Sequence, residues 1–438
     1  MAIINATELA AMLEKCGATK VVLALSGGLD SMVLLELLHQ VRQIRAYQLQ
    51  AIYVNHGLSA DAPRWAEHCA NACAERNIDF VSLKINIDAA ANVEAAARDG
   101  RYQALAPYID SAHTVLLTGH HADDQLETLL LALKRGAGVS GLSGMARQRP
   151  FARGSLLRPL LHCERRHILA FAQQNQLQWV EDSSNRDNRF DRNYIRNEVA
   201  PLLINRWPAF TDTTLRSMQH LADHQQLLNH YTEQALLNCA NGKQLNLTAL
   251  EQYLPLQQDL VIRSWLAQFK LNPSSQWLLT LKQQVIEARE DAVPELVLAG
   301  YQLRRFQKRL YLLHAATELQ GESEAAISCQ LSWPMQSKLQ LPAGLGELAV
   351  CHEQAAERLA MTRGQVTVVF GQLSLPFKPA EQVQHKPLKQ WFKLWQVPPW
   401  QRSQIPLLLD NEKLVAVAGY ASAISTLQAD CWLDWLRN

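Results

Sequence analysis

Between residues 20 and 120, short and almost uninterrupted apolar runs alternate with longer stretches in which apolar positions recur at helical spacing. The runs are VVLAL (21–25), LQAIYVN (49–55), FVSLKI (80–85) and TVLLTG (114–119); the periodic stretches cover 31–44, 63–76 and 92–109. Runs apolar on both faces suit strands covered on both sides, and the helices between them supply the crossovers of a parallel sheet. The predicted fold class is α/β, with an N-terminal doubly wound parallel sheet in a domain over 1–215. The pattern then changes. Residues 207–240 read as one long connecting helix and 245–290 as further helices, after which ELVLAGYQLRRF and RLYLLH, within 295–314, read as strands. A polar stretch, ATELQGESEAAIS, marks a linker. Beyond residue 330 short strands dominate, with turns at PAGLGE and DNEK and one basic helix over 386–395. A mainly helical domain at 216–315 and an α+β domain at 325–438 are expected.

At 438 residues the chain is long enough for two or three domains with their own cores. A formal charge of +1 gives no global pull toward nucleic acid, so any basic surface must be local. Glu8 and Glu14 interrupt the amino-terminal stretch and no run approaches the roughly twenty apolar residues of a membrane span, so a cytoplasmic protein without a membrane role is expected. The eight cysteines lack any CxxC pair, which argues against a disulfide framework or a zinc site. Cys69 and Cys73, four apart, read as small residues on one apolar helix face.

Candidate chemistry concentrates after the strands, because ligands of such sheets sit at the carboxyl ends. The first strand runs into Ser26-Gly27-Gly28-Leu29-Asp30-Ser31 and straight into a helix. Glycines and serines there leave backbone N–H groups aimed at one point, and the helix N-terminus adds partial positive charge; the combination suits a phosphate. Asp30 would hold Mg²⁺ against that phosphate. Neither the Walker A pattern nor GxGxxG is present. Asn55-His56-Gly57-Leu58 follows the second strand and His120-His121-Ala122-Asp123-Asp124-Gln125-Leu126-Glu127-Thr128 the fourth. Acids at a helix start cap N–H groups, but carboxylates beside a triphosphate also bind metal or take protons. Arg98 and Arg101 share a helix face near Glu94 and Tyr102; a solvated charge stripe would look the same, and the functional alternative is a guanidinium gripping phosphate or carboxylate. Lys134-Arg135-Gly136-Ala137-Gly138 and SGLSGM form a loop expected to move over the site. Arg147, Arg149, Arg153, Arg158, Arg165 and Arg166 against the single acid Glu164 read as a phosphodiester-contact stripe, and Asp182 to Asn185 as turn residues ahead of Arg186, Arg189, Arg192 and Arg196. Lys386, Lys389 and Lys393 interleave with Trp391 and Trp395 on a helix that either grips RNA or packs Trp391, Leu394 and Trp395 inward.

The motif SGGLDS resembles the signature of the PP-loop ATP pyrophosphatases, an adenine nucleotide α-hydrolase-like fold. The ordered series SGGLDS, VNHGLS, ARDGRY, HHADDQLET, KRGAGVSGL, RPLL, EDSSNRDNRFDRNYIR and VAPLL resembles the tRNA(Ile)-lysidine synthetase family along the first 205 residues, and KPLKQWFKLWQVPPWQRSQIPLLL matches its closing motif. That resemblance implies a ligase that adenylates the wobble cytidine of the CAU-anticodon isoleucine tRNA at C2 and lets the ε-amine of free L-lysine displace AMP. It implies ATP and Mg²⁺ at Ser26, Gly27, Gly28, Leu29, Asp30, Ser31, Asn55 and His56. It implies catalysis by Asp30, Arg98 or Arg101, and Asp123 or Asp124, without saying which member of each pair acts. His121, Glu127, Asn185, Arg192, Asn193, Arg196, Lys386, Lys389 and Arg402 become candidate substrate-binding residues. A homodimer is allowed. A tRNA thiolation enzyme would need a well-placed cysteine, an amidotransferase-type synthetase would not need the arginines or the C-terminal half, and an inactive tRNA-binding relative would be expected to lose Asp30 or the aspartate pair.

Overall fold

The computed structural model describes residues 5–57, 59–86, 93–289, 292, 294–314, 329–336, 338–355 and 358–436, apart from a few side chains, Glu94 among them. The expected linker ATELQGESEAAIS and Leu58 of the second-strand motif lie outside the described residues. The chain forms two compact units, 1–229 and 230–438.

The first unit is built on a six-stranded sheet. Its strands are β1 (Lys20–Ala24), β2 (Gln48–Asn55), β3 (Asp79–Lys84), β4 (Thr114–Leu117), β5 (Gln148–Phe151) and β6 (Gly154–Leu157), in the spatial order β3-β2-β1-β4-β6-β5. All pairings are parallel except β5 with β6. The order reverses between β1 and β4, the switch point at which a crevice opens. Helices α1 (Ala6–Lys15), α2 (Leu29–Val41), α3 (Ala62–Ala74), α4 (Val93–Leu105), α5 (Ala122–Lys134), α6 (Val139–Leu142), α7 (Arg165–Gln174) and α8 (Asp191–Tyr194) follow in chain order. One face of the sheet packs Val21, Leu23 and Leu117 against α1, α2, α3 and α7, and the other packs Val22, Ile52, Leu116 and Leu156 against α4. Central strands with both faces covered explain why their sequences read as continuous apolar runs.

α1, the strands β5 and β6, and α7 escape the periodic reading. α1 is set by a capping box in which Asn5 Oδ1 accepts from Glu8 N and Glu8 Oε2 from Asn5 N, burying Leu9 and Leu13. The hairpin β5–β6 occupies part of the arginine-rich stretch: it extends the sheet, and Arg158, read from sequence as part of a surface stripe, is buried.

In the second unit a five-stranded antiparallel sheet runs in the order 240–241, 244–246, 309–314, 301–306, 295–298. The run ELVLAGYQLRRF is two strands rather than one, because Ala299 and Gly300 take positive φ (47° and 82°) and make a tight hairpin turn. DNEK likewise turns between 407–410 and 413–417, with Asn411 and Glu412 at positive φ. A further five-stranded and a four-stranded sheet carry residues 331–436. The helix Leu388–Leu394 buries Leu388, Trp391 and Phe392 while Leu394 is exposed, so Phe392 takes the inward place expected of Leu394. One continuous helix, Phe210–Cys239, covers the position near 215 where a domain boundary was expected.

Candidate active site

The loop between β1 and α2 is shaped by contacts that only glycine permits. Gly27 has φ +80°, and a Cβ there would come within 3.1 Å of both Cys69 Sγ and Val180 Cγ2. Its carbonyl accepts from Val180 N at 2.9 Å, tying the loop to the segment before residue 183. Ser31 Oγ folds back onto the loop, accepting from Ser26 N at 3.2 Å, donating to Gly28 O at 3.0 Å and lying 3.1 Å from Ser26 Oγ. Gly28 is the N-cap of α2 and offers no side-chain cap. Among the described residues nothing accepts from the N–H groups of Leu29, Asp30 and Ser31, an arrangement that, with the helix dipole, suits an anion.

A second glycine, unremarked in the sequence, brings the fourth strand's end to this loop. A Cβ on Gly119 would lie 3.1 Å from Asp30 Cβ and 3.3 Å from Ser31 N, so β4 can deliver the next residues directly beside Asp30. His121 is buried and ringed by carboxylates: Asp30 Oδ2 at 3.7 Å and Asp124 Oδ2 at 3.5 Å from Nε2, and Asp123 Oδ2 at 3.4 Å from Nδ1. Burial pulls the His121 imidazole down, but Asp124, Asp123 and Asp30 together outweigh it and hold it up at about 9. Burial pushes the Asp30 carboxyl up despite His121, and Asp30 Oδ1 is a buried oxygen with no hydrogen-bond partner among the described residues.

The adjacent aspartates have different surroundings. Asp123 Oδ2 accepts from Arg165 N at 2.8 Å, at the start of α7. Asp124 is buried, accepting from His121 N at 3.0 Å and from Arg192 Nη2 and Arg196 Nη2 at 3.1 and 3.2 Å. For each, burial favours the neutral form, but His121, with the Arg165 N–H for Asp123 and Arg192 for Asp124, overrides it and holds the carboxyl below the usual range. Glu127, one turn on, accepts from Arg192 Nε at 2.8 Å and Arg196 Nε at 2.6 Å, its side chain 2% exposed. The two arginines are four apart on a helix that widens into a π turn over Ile195–Val199, just before Pro201, whose missing N–H cannot continue an α ladder.

Other candidates surround this centre. Arg101 Nη2 lies 3.4 Å from His56 Nε2 and Asn55 Oδ1 accepts from Gly57 N, so the second-strand motif and α4 meet at the rim. Asn193 Nδ2 donates to Ser184 O and Asp187 O, and Asn185 O accepts from Asn197 Nδ2, so these asparagines brace the polar loop. Arg186 and Arg189 are exposed, whereas Arg192 and Arg196 face the carboxylates. Lys386, Lys389 and Arg402 belong to the second unit: Lys386 Nζ sits 5.1 Å over the Trp391 ring, Lys389 is exposed, and Arg402 Nε donates to Val397 O. The loop expected to move is held at its far end, where Gln125 accepts from Met145 N and donates to Met145 O. His120 had no assigned role from sequence, and Arg158 was read only as part of the arginine stripe. His120 Nδ1 is 2.9 Å from Thr118 Oγ1, and burial together with Arg158, Arg192 and Arg98 holds the imidazole down at about 4 despite Asp124.

A helix start with free N–H groups at the switch point of a parallel sheet, with carboxylates converging beside it, suits a phosphate, and the family model of a PP-loop domain matches residues 1–203, which makes the chain an ATP-using enzyme of the PP-loop class. Models of a TilS substrate binding domain and a TilS substrate C-terminal domain match residues 245–311 and 366–435. The chain is 41% identical over 424 residues to a tRNA(Ile)-lysidine synthase of Serratia proteamaculans, covering 95% of this chain and 94% of that protein. It is 38% identical to one of Vibrio cholerae, covering 96% and 94%, and 40% identical to one of Yersinia pseudotuberculosis, covering 95% and 93%. The chain belongs to the tRNA(Ile)-lysidine synthase family. No helix among the described residues is long and apolar enough to cross a membrane.

Proposed function

We propose that this enzyme uses ATP to join L-lysine to C2 of the wobble cytidine of the CAU-anticodon isoleucine tRNA. The observation that carries the reading is the convergence of Asp30, Asp123 and Asp124 on His121 beside the uncapped start of α2. The first step needs a triphosphate held at its phosphates and a base carbonyl brought to Pα: the C2 oxygen attacks, the Pα–O bond to pyrophosphate breaks, and the cytidine is adenylated. Leu29, Asp30 and Ser31 present N–H groups to the phosphates, and Arg101 with His56 closes the rim.

The buried Asp30 Oδ1, without a hydrogen-bond partner among the described residues, fits a hard cation, so Asp30 would hold Mg²⁺. When bound, that ion neutralises charge developing on the phosphate oxygens.

In the second step the lysine ε-amine attacks C2, the C2–O bond breaks and AMP leaves. Asp123 and Asp124 stay ionised at neutral pH, which suits them to attract the ammonium of the incoming lysine better than to accept its proton. Arg192 and Arg196 pair with Asp124 and Glu127 and fix their direction, while the exposed Arg186 and Arg189 meet the RNA backbone. Incubation with ATP, [¹⁴C]lysine and bacterial tRNA tests the whole reading: label must enter RNA and require ATP. RNA that stays unlabelled beside an active reference enzyme refutes it.

A further inference from the structure

A cluster of positive charge lies at the same rim, beyond the groups used above. Three guanidinium groups gather around Tyr102 of α4. Arg98 and Arg149 have Cζ atoms 5.9 and 5.5 Å from its ring centroid, Arg149 is also 5.8 Å from the Phe151 ring, and Arg158 lies against the Tyr102 hydroxyl. Tyr102 and Phe151 pack edge to face at 5.6 Å, so the aromatic floor is itself fixed. Chain topology places the cluster. Arg158 directly follows β6 as Thr118 follows β4, the two strands are parallel neighbours, and Thr118 N donates to Leu157 O, so Arg158 shares the carboxyl-end rim with His120. Arg149 enters from β5, paired with Leu156.

Like charges do not gather without a reason. Among the described residues no carboxylate lies within ion-pair distance of Arg98, Arg149 or Arg158, in contrast to Arg192 and Arg196, each of which pairs with both Asp124 and Glu127. Arg158 is 2% exposed, and although Nη1 donates to Ala146 O, its Nε is a buried donor with no partner among the described residues. A guanidinium stacked on an aromatic face leaves its N–H edge free, the geometry that grips phosphate oxygens in pairs.

We propose that Arg98, Arg149 and Arg158 around Tyr102 form an anion pocket that holds a phosphate group beside the reaction centre. This rests on the adenylating reading above, which brings phosphate to the rim from two sources: the pyrophosphate released from ATP, or a phosphodiester of the RNA flanking the cytidine. The ligand chemistry is shared and the pocket is the same.

The test uses the full chain and Arg149→Gln, with Arg98→Gln as a second variant; both side chains are exposed, so the fold is spared. Binding of inorganic pyrophosphate is measured by calorimetry without RNA, and binding of an anticodon stem-loop RNA is measured against salt. If pyrophosphate is the ligand, its affinity falls at least fivefold in each variant and the RNA salt slope stays as in the unmodified enzyme. If the RNA backbone is the ligand, the slope of log K against log salt becomes shallower by about 0.7 per lost contact and pyrophosphate affinity holds. Both quantities unchanged in both variants overturns the pocket. Lysine transfer to tRNA by the unmodified enzyme is scored separately: its absence refutes the proposed function, while the pyrophosphate titration still decides the pocket.

Discussion

Replacing Glu127 by Gln removes one charge from the network of Asp124, Glu127, Arg192 and Arg196 while keeping the side chain's shape. Glu127 is 2% exposed at its side chain and accepts from Arg192 Nε, Arg196 Nε and Arg196 Nη2 at 2.8, 2.6 and 2.9 Å. The amide keeps one acceptor, but its NH₂ faces a guanidinium donor. Removing one partner of a fully buried ion pair costs about 3–5 kcal/mol. Here the guanidiniums retain 23% and 34% side-chain exposure, so water relieves part of the loss and about 2–3 kcal/mol remains. The loss falls where α5 meets the helix of Arg192 and Arg196. Hydrogen exchange read by mass spectrometry on peptides spanning 122–134 and 190–200 should show protection reduced roughly 30- to 160-fold by Glu127→Gln. Distant β2 should be unaffected. Combining Glu127→Gln with Arg196→Gln should destabilise by less than the sum of the single changes, because the two share one interaction. Exchange over 190–200 indistinguishable from the unmodified enzyme would refute the network as the device that aims Asp124.

Other consequences follow from the same geometry. Asp30→Asn should reduce tRNA-dependent pyrophosphate release by at least about a hundredfold with an unchanged circular dichroism spectrum; full activity would remove Asp30 from the site. Gly27→Ala forces a side chain into φ +80° with atoms 3.1 Å away on two sides, so about 1–2 kcal/mol of stability should be lost and ATP affinity should fall more than the fold does, as urea titration and nucleotide binding would show. Arg186→Gln should flatten the salt dependence of tRNA binding with unchanged stability, whereas Arg192→Gln should destabilise; equal slopes for Arg186→Gln and the unmodified enzyme would free Arg186 from the RNA. Because Asp123 and Asp124 are held below the usual carboxylate range, neither is a good acceptor at neutral pH. The attacking amine must shed its own proton, and the single-turnover rate of lysine transfer from adenylated tRNA should climb close to tenfold per unit between about pH 7 and 9. A flat profile would mean a tuned base is present.

The alternation of β1 to β4 with α2 to α5 was readable from hydrophobic period alone, since buried parallel strands leave no polar positions and crossover helices leave a regular stripe. The phosphate loop was legible for a related reason: its residue types act through backbone conformation, which is local. α1 and the hairpin β5–β6 were not, because one depends on a capping box and the other on pairing with a strand some forty residues away in the chain.

Sequence by itself therefore determined that a strand, a glycine- and serine-rich turn and acid-rich helix starts exist, and that they share a rim. Only the tertiary structure decided how each charge is used. Asp123 and Asp124 are neighbours in the chain, yet one meets the first N–H of α7 and the other sits under two guanidiniums. Arg158 and Arg192 look alike in an arginine-rich stretch, yet one is buried beside like charges and the other is matched by carboxylates. Spacing along a chain fixes which face a residue occupies, but pairing, burial and the resulting protonation depend on what distant segments bring within a few ångströms.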